Sequence, residues 1–317
     1  MGLLLAVLLL AGLEAFWRHE GHLPSIVDSE TLWAIERERV NGDDVIAIVG
    51  TSRAVTGVSM ATLRARLPHK RPIMLAIAGH APGNILRNLL ADRRFHGTVV
   101  VEMEGSLDGA PFREPTAYLR TYAEGVELNT RANTIIRAQM QSAFTVLRAD
   151  LGANQVLSKV LEDHTLPPPA HQFVHADRSM SADFRNVDTR RLLSSPTGTI
   201  ISAPPGPQAW SKTMASLEPG IAALRARGGD VAFVRFPTTV DHYGEEAAHP
   251  RATHWDPWAS TTAAKTLHYR DVPAMADLDC PDGSHLDMRD APRFTNALVD
   301  GLSRLGVVGF GAPLPVP

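Results

Sequence analysis

Three short apolar runs, each followed by a segment with helical character, constrain the fold of this chain more than any other feature. They are Asp44-Val-Ile-Ala-Ile-Val-Gly50, Pro72-Ile-Met-Leu-Ala-Ile-Ala-Gly79 and Gly97-Thr-Val-Val-Val-Glu-Met103. Each is too short for an ordinary helix and lacks the alternation of a half-solvated strand, so each reads as a strand buried on both faces. Asp230-Val-Ala-Phe-Val-Arg-Phe236, stopped by Pro237, is a fourth, and a short fifth is predicted near Tyr269 to Val272. Helices are predicted from Ser29 to Arg39, Gly83 to Asp92, Thr116 to about Glu162, Trp210 to Arg227, Ala259 to Leu267 and Arg289 to Leu305.

Strand–helix alternation of this kind predicts an α/β fold with a doubly wound, flavodoxin-like parallel sheet. The expected organisation is a hydrophobic segment at 1–18, a helix and linker at 19–43, and an α/β domain at 44–310. Residues 115–205 form an insertion, mainly helical. Pro167-Pro-Pro169 closes its helical part, and the Pro-, Ser- and Asp-rich stretch to Trp210 is expected to be irregular.

The first 18 residues carry a second constraint. Gly2 to Leu13 is apolar or glycine throughout, Glu14 interrupts, and Ala15-Phe-Trp17 continues to Arg18. The run falls short of the roughly 20 residues of a full span and matches a signal-peptide core or a short signal anchor. Being apolar all round, it has no water-facing side, and Trp17 and Arg18 read as interfacial flanks. The expectation is a membrane-anchored, extracytoplasmic protein, or a secreted one if residues 1–15 are cleaved. Composition excludes little else. The 317 residues carry a formal charge of −3, with no basic stripe for nucleic acid. A single cysteine, Cys280, excludes an internal disulfide.

Ligands of open parallel sheets bind beyond the carboxyl ends of the strands. The first strand ends in Gly50-Thr51-Ser52-Arg53. The glycine permits a tight turn, and a serine at the following helix start sits where N–H groups favour negative charge. Plain N-capping explains the same serine. Near the other end stands Asp282-Gly-Ser-His285, just before the last helix. A serine hydroxyl needs a neutral imidazole to take its proton, and the imidazole needs a carboxylate to fix its tautomer. An Asp three residues before a His can supply this within one loop. A solvated acidic loop is the alternative, since Asp279, Asp287 and Asp290 crowd there too.

Together the two blocks resemble the SGNH (GDSL-like) hydrolase superfamily, in particular the envelope-anchored branch that includes the D-alanyl transfer protein DltD and alginate O-acetylation proteins. The resemblance spans about residues 44 to 305 and lies in the strand ends. It implies Ser52 as nucleophile, His285 as base and Asp282 as its partner, with Gly79 and the Ser52 N–H as oxyanion donors. The chain departs from the family after the third strand. It reads Glu102-Met-Glu104-Gly105-Ser106, with no Gly-x-Asn-Asp, and Thr51 replaces the aspartate of Gly-Asp-Ser-Leu. Asn84 is a candidate substitute oxyanion donor or a helix cap. Arg53 is a candidate contact for an anionic substrate group or a structural ion pair.

The expected function is therefore acyl-ester hydrolysis or O-acyl transfer on an envelope or exported carbohydrate, without a cofactor. Expected partners are an acylated carbohydrate or small ester, the membrane through the N-terminal segment, and envelope proteins. The alternative is a catalytically weak SGNH-like module that binds glycan. His242, His249 and His254 with Asp241 and Asp256 match no compact metal-ligand spacing. They read as a loop over the site. Cys280 near His285 offers a thiol–imidazole pair, against which the Asp–His spacing points to Ser52.

Overall fold

The computed structural model describes residues 1–103, 105, 107–108, 112–194, 206–240 and 245–311. Asp241, His242, Glu104 and Ser106 lie outside them. The apolar runs form the core of a five-stranded parallel sheet. Its strands are β1 (Val45–Val49), β2 (Arg71–Met74), β3 (Thr98–Glu102), β6 (Asp230–Arg235) and β7 (Lys265–His268), in the spatial order β2-β1-β3-β6-β7. The intervening β4 (Gln172–Val174) and β5 (Met180–Ala182) pair apart as an antiparallel hairpin. Counting only the main sheet, the order is 2-1-3-4-5, that of flavodoxin-like doubly wound folds. The chain is an α/β fold of that type.

Period-two alternation sorts the strand side chains into two layers. Val45, Ala47, Val49, Val99, Val101 and Phe233 face one cluster, which includes Trp33, Leu86 and Ile221. Ile46, Ile48, Val100, Ala232 and Val234 face the other, with Leu63, Phe294 and Leu298. Helices cover both faces. On the first lie α2 (Glu30–Glu38), α5 (Gly83–Ala91) and the helices Pro207–Ala215 and Glu218–Ala226. On the second lie α3 (Ser52–Gly57), α4 (Met60–Arg66) and the last helix, Ala291–Arg304. α1 (Gly2–His19) is long and apolar enough to serve as a membrane anchor or signal sequence.

The structure corrects five local expectations. The fifth strand is Lys265–His268, and Tyr269–Asp271 is a 3-10 turn. Pairing with β6 sets Leu267 beneath Gly301, where an added Cβ would lie 2.8 Å from its Cδ2. The helix placed at Ala259 to Leu267 is instead Trp255–Ala259. The long insertion helix is broken into α6 (Thr116–Glu124), α7 (Leu128–Ala143) and α8 (Ala153–Asp163), with Gly125 at φ +81° ending the first. The helix from Trp210 is interrupted between Ala215 and Glu218, before Pro219. The stretch taken as irregular contains the β4–β5 hairpin, fixed by buried Arg178. Its guanidinium grips Asp28 at 2.7 Å through two nitrogens and donates to the Met74 carbonyl at 2.7 Å.

Candidate active site

The first half of the site is a turn locked from behind. β1 is buried along its whole length, and Gly50 follows its last residue, Val49. Thr51 is extended, and its hydroxyl caps α3 by accepting from the Arg53 N–H at 3.4 Å. The Thr51 N–H and hydroxyl both donate to Glu102 Oε2, at 2.7 and 3.0 Å. Glu102 ends β3 and is 1% exposed. A Cβ at Gly50 would lie 2.7 Å from both Glu102 Cβ and Oε2, so the glycine is what lets this carboxylate reach the turn. Ser52 is thus held at the start of α3, partly open to solvent.

The second half is the loop before the last helix. Asp282 Oδ1 accepts from the Ser284 and His285 N–H groups at 3.0 and 2.7 Å, which curls the loop about Gly283 at φ +88°. Its Oδ2 lies 2.8 Å from His285 Nδ1. Burial alone would raise the Asp282 carboxyl, but the hydrogen bonds and charge of His285 and the two N–H donors hold it down at about 2. The loop is clamped from outside. Thr239 and Val240 donate their N–H groups to the Gly283 carbonyl at 3.1 Å, and Asp287 accepts from the Phe184 N–H of the insertion at 3.0 Å.

The two halves meet. His285 Nε2 stands 2.8 Å from Ser52 Oγ, across 233 positions of sequence. With Nδ1–H donating to Asp282, Nε2 is left to accept the serine proton, an assignment that follows from the hydrogen-bond network. Arg53 Nε donates to Ser284 Oγ at 3.1 Å, a second tie between turn and loop. Arg53 is 4% exposed, so its guanidinium lies beneath the site as a brace.

Past the strand ends, Leu75 and Ile77 donate to the Ile48 and Gly50 carbonyls at 2.8 and 3.1 Å. The β2 chain therefore follows β1 outward and brings the Gly79 turn (φ +72°) to the level of Ser52. Among the described residues no group accepts from the Ser52 or Gly79 N–H. Asn84 is exposed, and its amide donates to Glu114 at 2.7 Å while its oxygen accepts from Arg87 at 3.3 Å.

Cys280 is buried, its thiol directed at the Pro237 carbonyl at 3.5 Å and pushed up to about 12, chiefly by burial. His249 and His254 stack edge-on at 5.1 Å over the ends of β3, β6 and β7, lining a cavity of about 200 Å³ with Trp210, Trp255 and His268. Asp256 pairs with Arg251 at 2.9 Å. Glu102 and Arg178 are the residues that sequence reasoning missed as supports. The signal for Glu102 was present: a carboxylate closing an otherwise apolar strand has to be paid for by a partner.

No protein-family model matches this chain, and no curated protein matches it. Among solved structures it is similar to one described as the crystal structure of TesA, with 16% identity, 82% of this chain and 99% of that chain covered, and a TM-score of 0.37.

Proposed function

We propose that this chain is an SGNH-type serine esterase or O-acyltransferase in which Ser52, His285 and Asp282 carry the chemistry. The observation that carries the reading is the unbroken relay from Ser52 Oγ to His285 Nε2 and from His285 Nδ1 to Asp282, 2.8 Å at each step. Ser52 Oγ bonds to the ester carbonyl carbon as its proton passes to His285 Nε2. The tetrahedral oxyanion is held by the N–H groups of Ser52 and Gly79. Collapse breaks the bond to the leaving alkoxide, which takes the proton from His285. Water or a sugar hydroxyl then gives its proton to His285 Nε2 as it bonds to the acyl carbon. The second oxyanion collapses, the bond from that carbon to Ser52 Oγ breaks, Oγ takes the proton back from His285, and the acid or new ester leaves.

The acylated envelope carbohydrate, and the anchored branch of the superfamily, are supported by the resemblance in the two sequence blocks. α1 supports attachment to or passage across a membrane, and the resemblance supports a catalytic domain on the extracytoplasmic side. The test is a fluorophosphonate probe on the full chain. Labelling of the wild type that vanishes in Ser52→Ala supports the enzyme, and a folded wild type that never labels overturns it. A second reading, a weak glycan-binding module, is favoured by one observation: the Asn84 amide is engaged by Glu114, leaving two backbone donors for the oxyanion.

A further inference from the structure

The insertion holds a helix whose apolar side is largely uncovered among the described residues. α8 has no buried residue. At 100° per residue, Val156, Leu157, Val160 and Leu161 share one arc, while Gln155, Ser158 and Glu162 face away. Leu157 is 57% exposed and Leu161 68%. A free helix of this length is marginal in water, and its stability has to come from burying that stripe.

Both ends of α8 are tied to the foot of α1. Before it, Arg18 donates to the Ala143 carbonyl at 2.9 Å, and the Glu14 carboxylate accepts from the Thr145 and Val146 N–H groups at 3.0 and 2.8 Å. Arg148 donates to the Leu23 carbonyl at 2.7 Å. After it, the His22 ring meets the Pro167 carbonyl at 3.2 Å, and a Cβ on Gly21 would sit 3.3 Å from Pro169. The segment leaves that foot and returns to it, so α8, about 16 Å long, stays within a helix length of where α1 ends. Met140 and Phe144, in the chain leading to α8, are 48% and 47% exposed.

We infer that α8 is a second membrane-contacting element, an amphipathic helix lying in the interface of the same bilayer that α1 enters. Its occupant is lipid, because the segment that carries the stripe is tied on both sides to the foot of a helix whose leucines are bare from Leu3 to Leu10. The inference rests on α1 being retained as an anchor and not on the ester chemistry. Contact at two points would fix the tilt of the sheet over the membrane.

The test uses the full chain in phosphatidylcholine vesicles, its N-terminus verified by mass, with an environment-sensitive dye on Leu161→Cys or Glu162→Cys. Cys280 is buried and does not compete for label. The Leu161 dye is expected to be quenched several-fold more by nitroxide-bearing lipid than the Glu162 dye, and the Glu162 dye more by aqueous iodide. Iodide access to the Leu161 dye would overturn the inference, and so would shelter from both quenchers, which means a protein cover. A chain recovered without residues 1–15 would overturn it too. The quenching is read without a catalytic assay, so failure of the ester reading leaves it decidable.

Discussion

The carboxyl edge of the sheet and the insertion at 116–163 are built on opposite terms. At the edge, Thr51, Arg53 and Glu102 are each buried to 4% exposure or less, and every one has a polar partner inside the protein. In the insertion, α6 and α8 hold no fully buried residue, α6 only leaning Tyr118, Leu119 and Tyr122 on the core, and α7 fully buries only Ala138 and Gln141. An over-determined site holds a hydroxyl and an imidazole at bonding distance before any substrate arrives, which is where orientation gains come from. A surface element held by peripheral ties is free to answer to a different solvent. The difference predicts a steep gradient of mutational effect between the two regions.

The largest effect belongs to Ser52. Ser52→Ala is expected to lower ester turnover by about 10⁴-fold or more while leaving thermal stability close to wild type, since only a partly exposed hydroxyl is lost. Steady-state rates on a soluble aryl ester beside a melting curve check both halves. If turnover survives, the edge is not the site and the comparison fails at its first term.

Asp282→Asn comes next, with an expected loss of about 10²–10⁴-fold in kcat from the wrong imidazole tautomer. It also carries a pH signature. The native carboxyl titrates at about 2, below its ordinary 3.8, so folding favours the ionised form. That contribution, about 1–2 kcal/mol after allowing for screening, is complete above roughly pH 4 and is lost as pH falls through about 2. Denaturant midpoints of wild type and variant should therefore converge between pH 4 and 2. A gap that stays constant across that window would show that Asp282 is not held by its native partners.

How much of this was legible follows from the same contrast. The strands were readable because burial on both faces leaves uninterrupted Val-Ile-Ala runs, and the Ser52 and Asp282–His285 blocks because strand ends and pre-helix loops are where a parallel sheet exposes chemistry. Glu102 was seen only as a departure from a pattern, since nothing local says that a strand-end carboxylate will reach back to Thr51. Arg178 was invisible for the same reason: its partners Asp28 and Met74 lie over 100 positions away. The insertion read as one long helix although Gly125, at φ +81°, is a local breaker, and because helical composition does not reveal tertiary ties such as those that Glu14 and Leu23 make around Thr145–Leu151.

Glu102→Ala sharpens the comparison from behind the nucleophile. It removes the acceptor of two Thr51 hydrogen bonds in a buried place, for an expected stability loss of about 1–3 kcal/mol and a kcat loss of about 10-fold as the turn loosens. Gly50→Ala should do comparable damage, because its Cβ would collide with the Glu102 side chain. The double variant is informative: with Glu102 truncated, the penalty at Gly50 should shrink, although Ala54 Cβ, 2.8 Å from the same point, keeps part of it. Strict additivity in denaturation would show that the glycine serves something other than the carboxylate.

The smallest effect is expected on the exposed apolar stripe of α8. Leu157→Glu with Leu161→Glu removes two leucines from α8, yet neither packs against the folded core, so stability in mild detergent should move by less than about 0.5 kcal/mol per site. Leu86→Ala, from a side chain fully buried in α5, should cost about 2–5 kcal/mol in the same assay. The two results together separate apolar residues that hold the fold from those that meet its surroundings. Should the α8 pair prove as costly as Leu86, the helix would be packed on protein after all, and the contrast between a buried edge and a solvent-facing insertion would have to be redrawn.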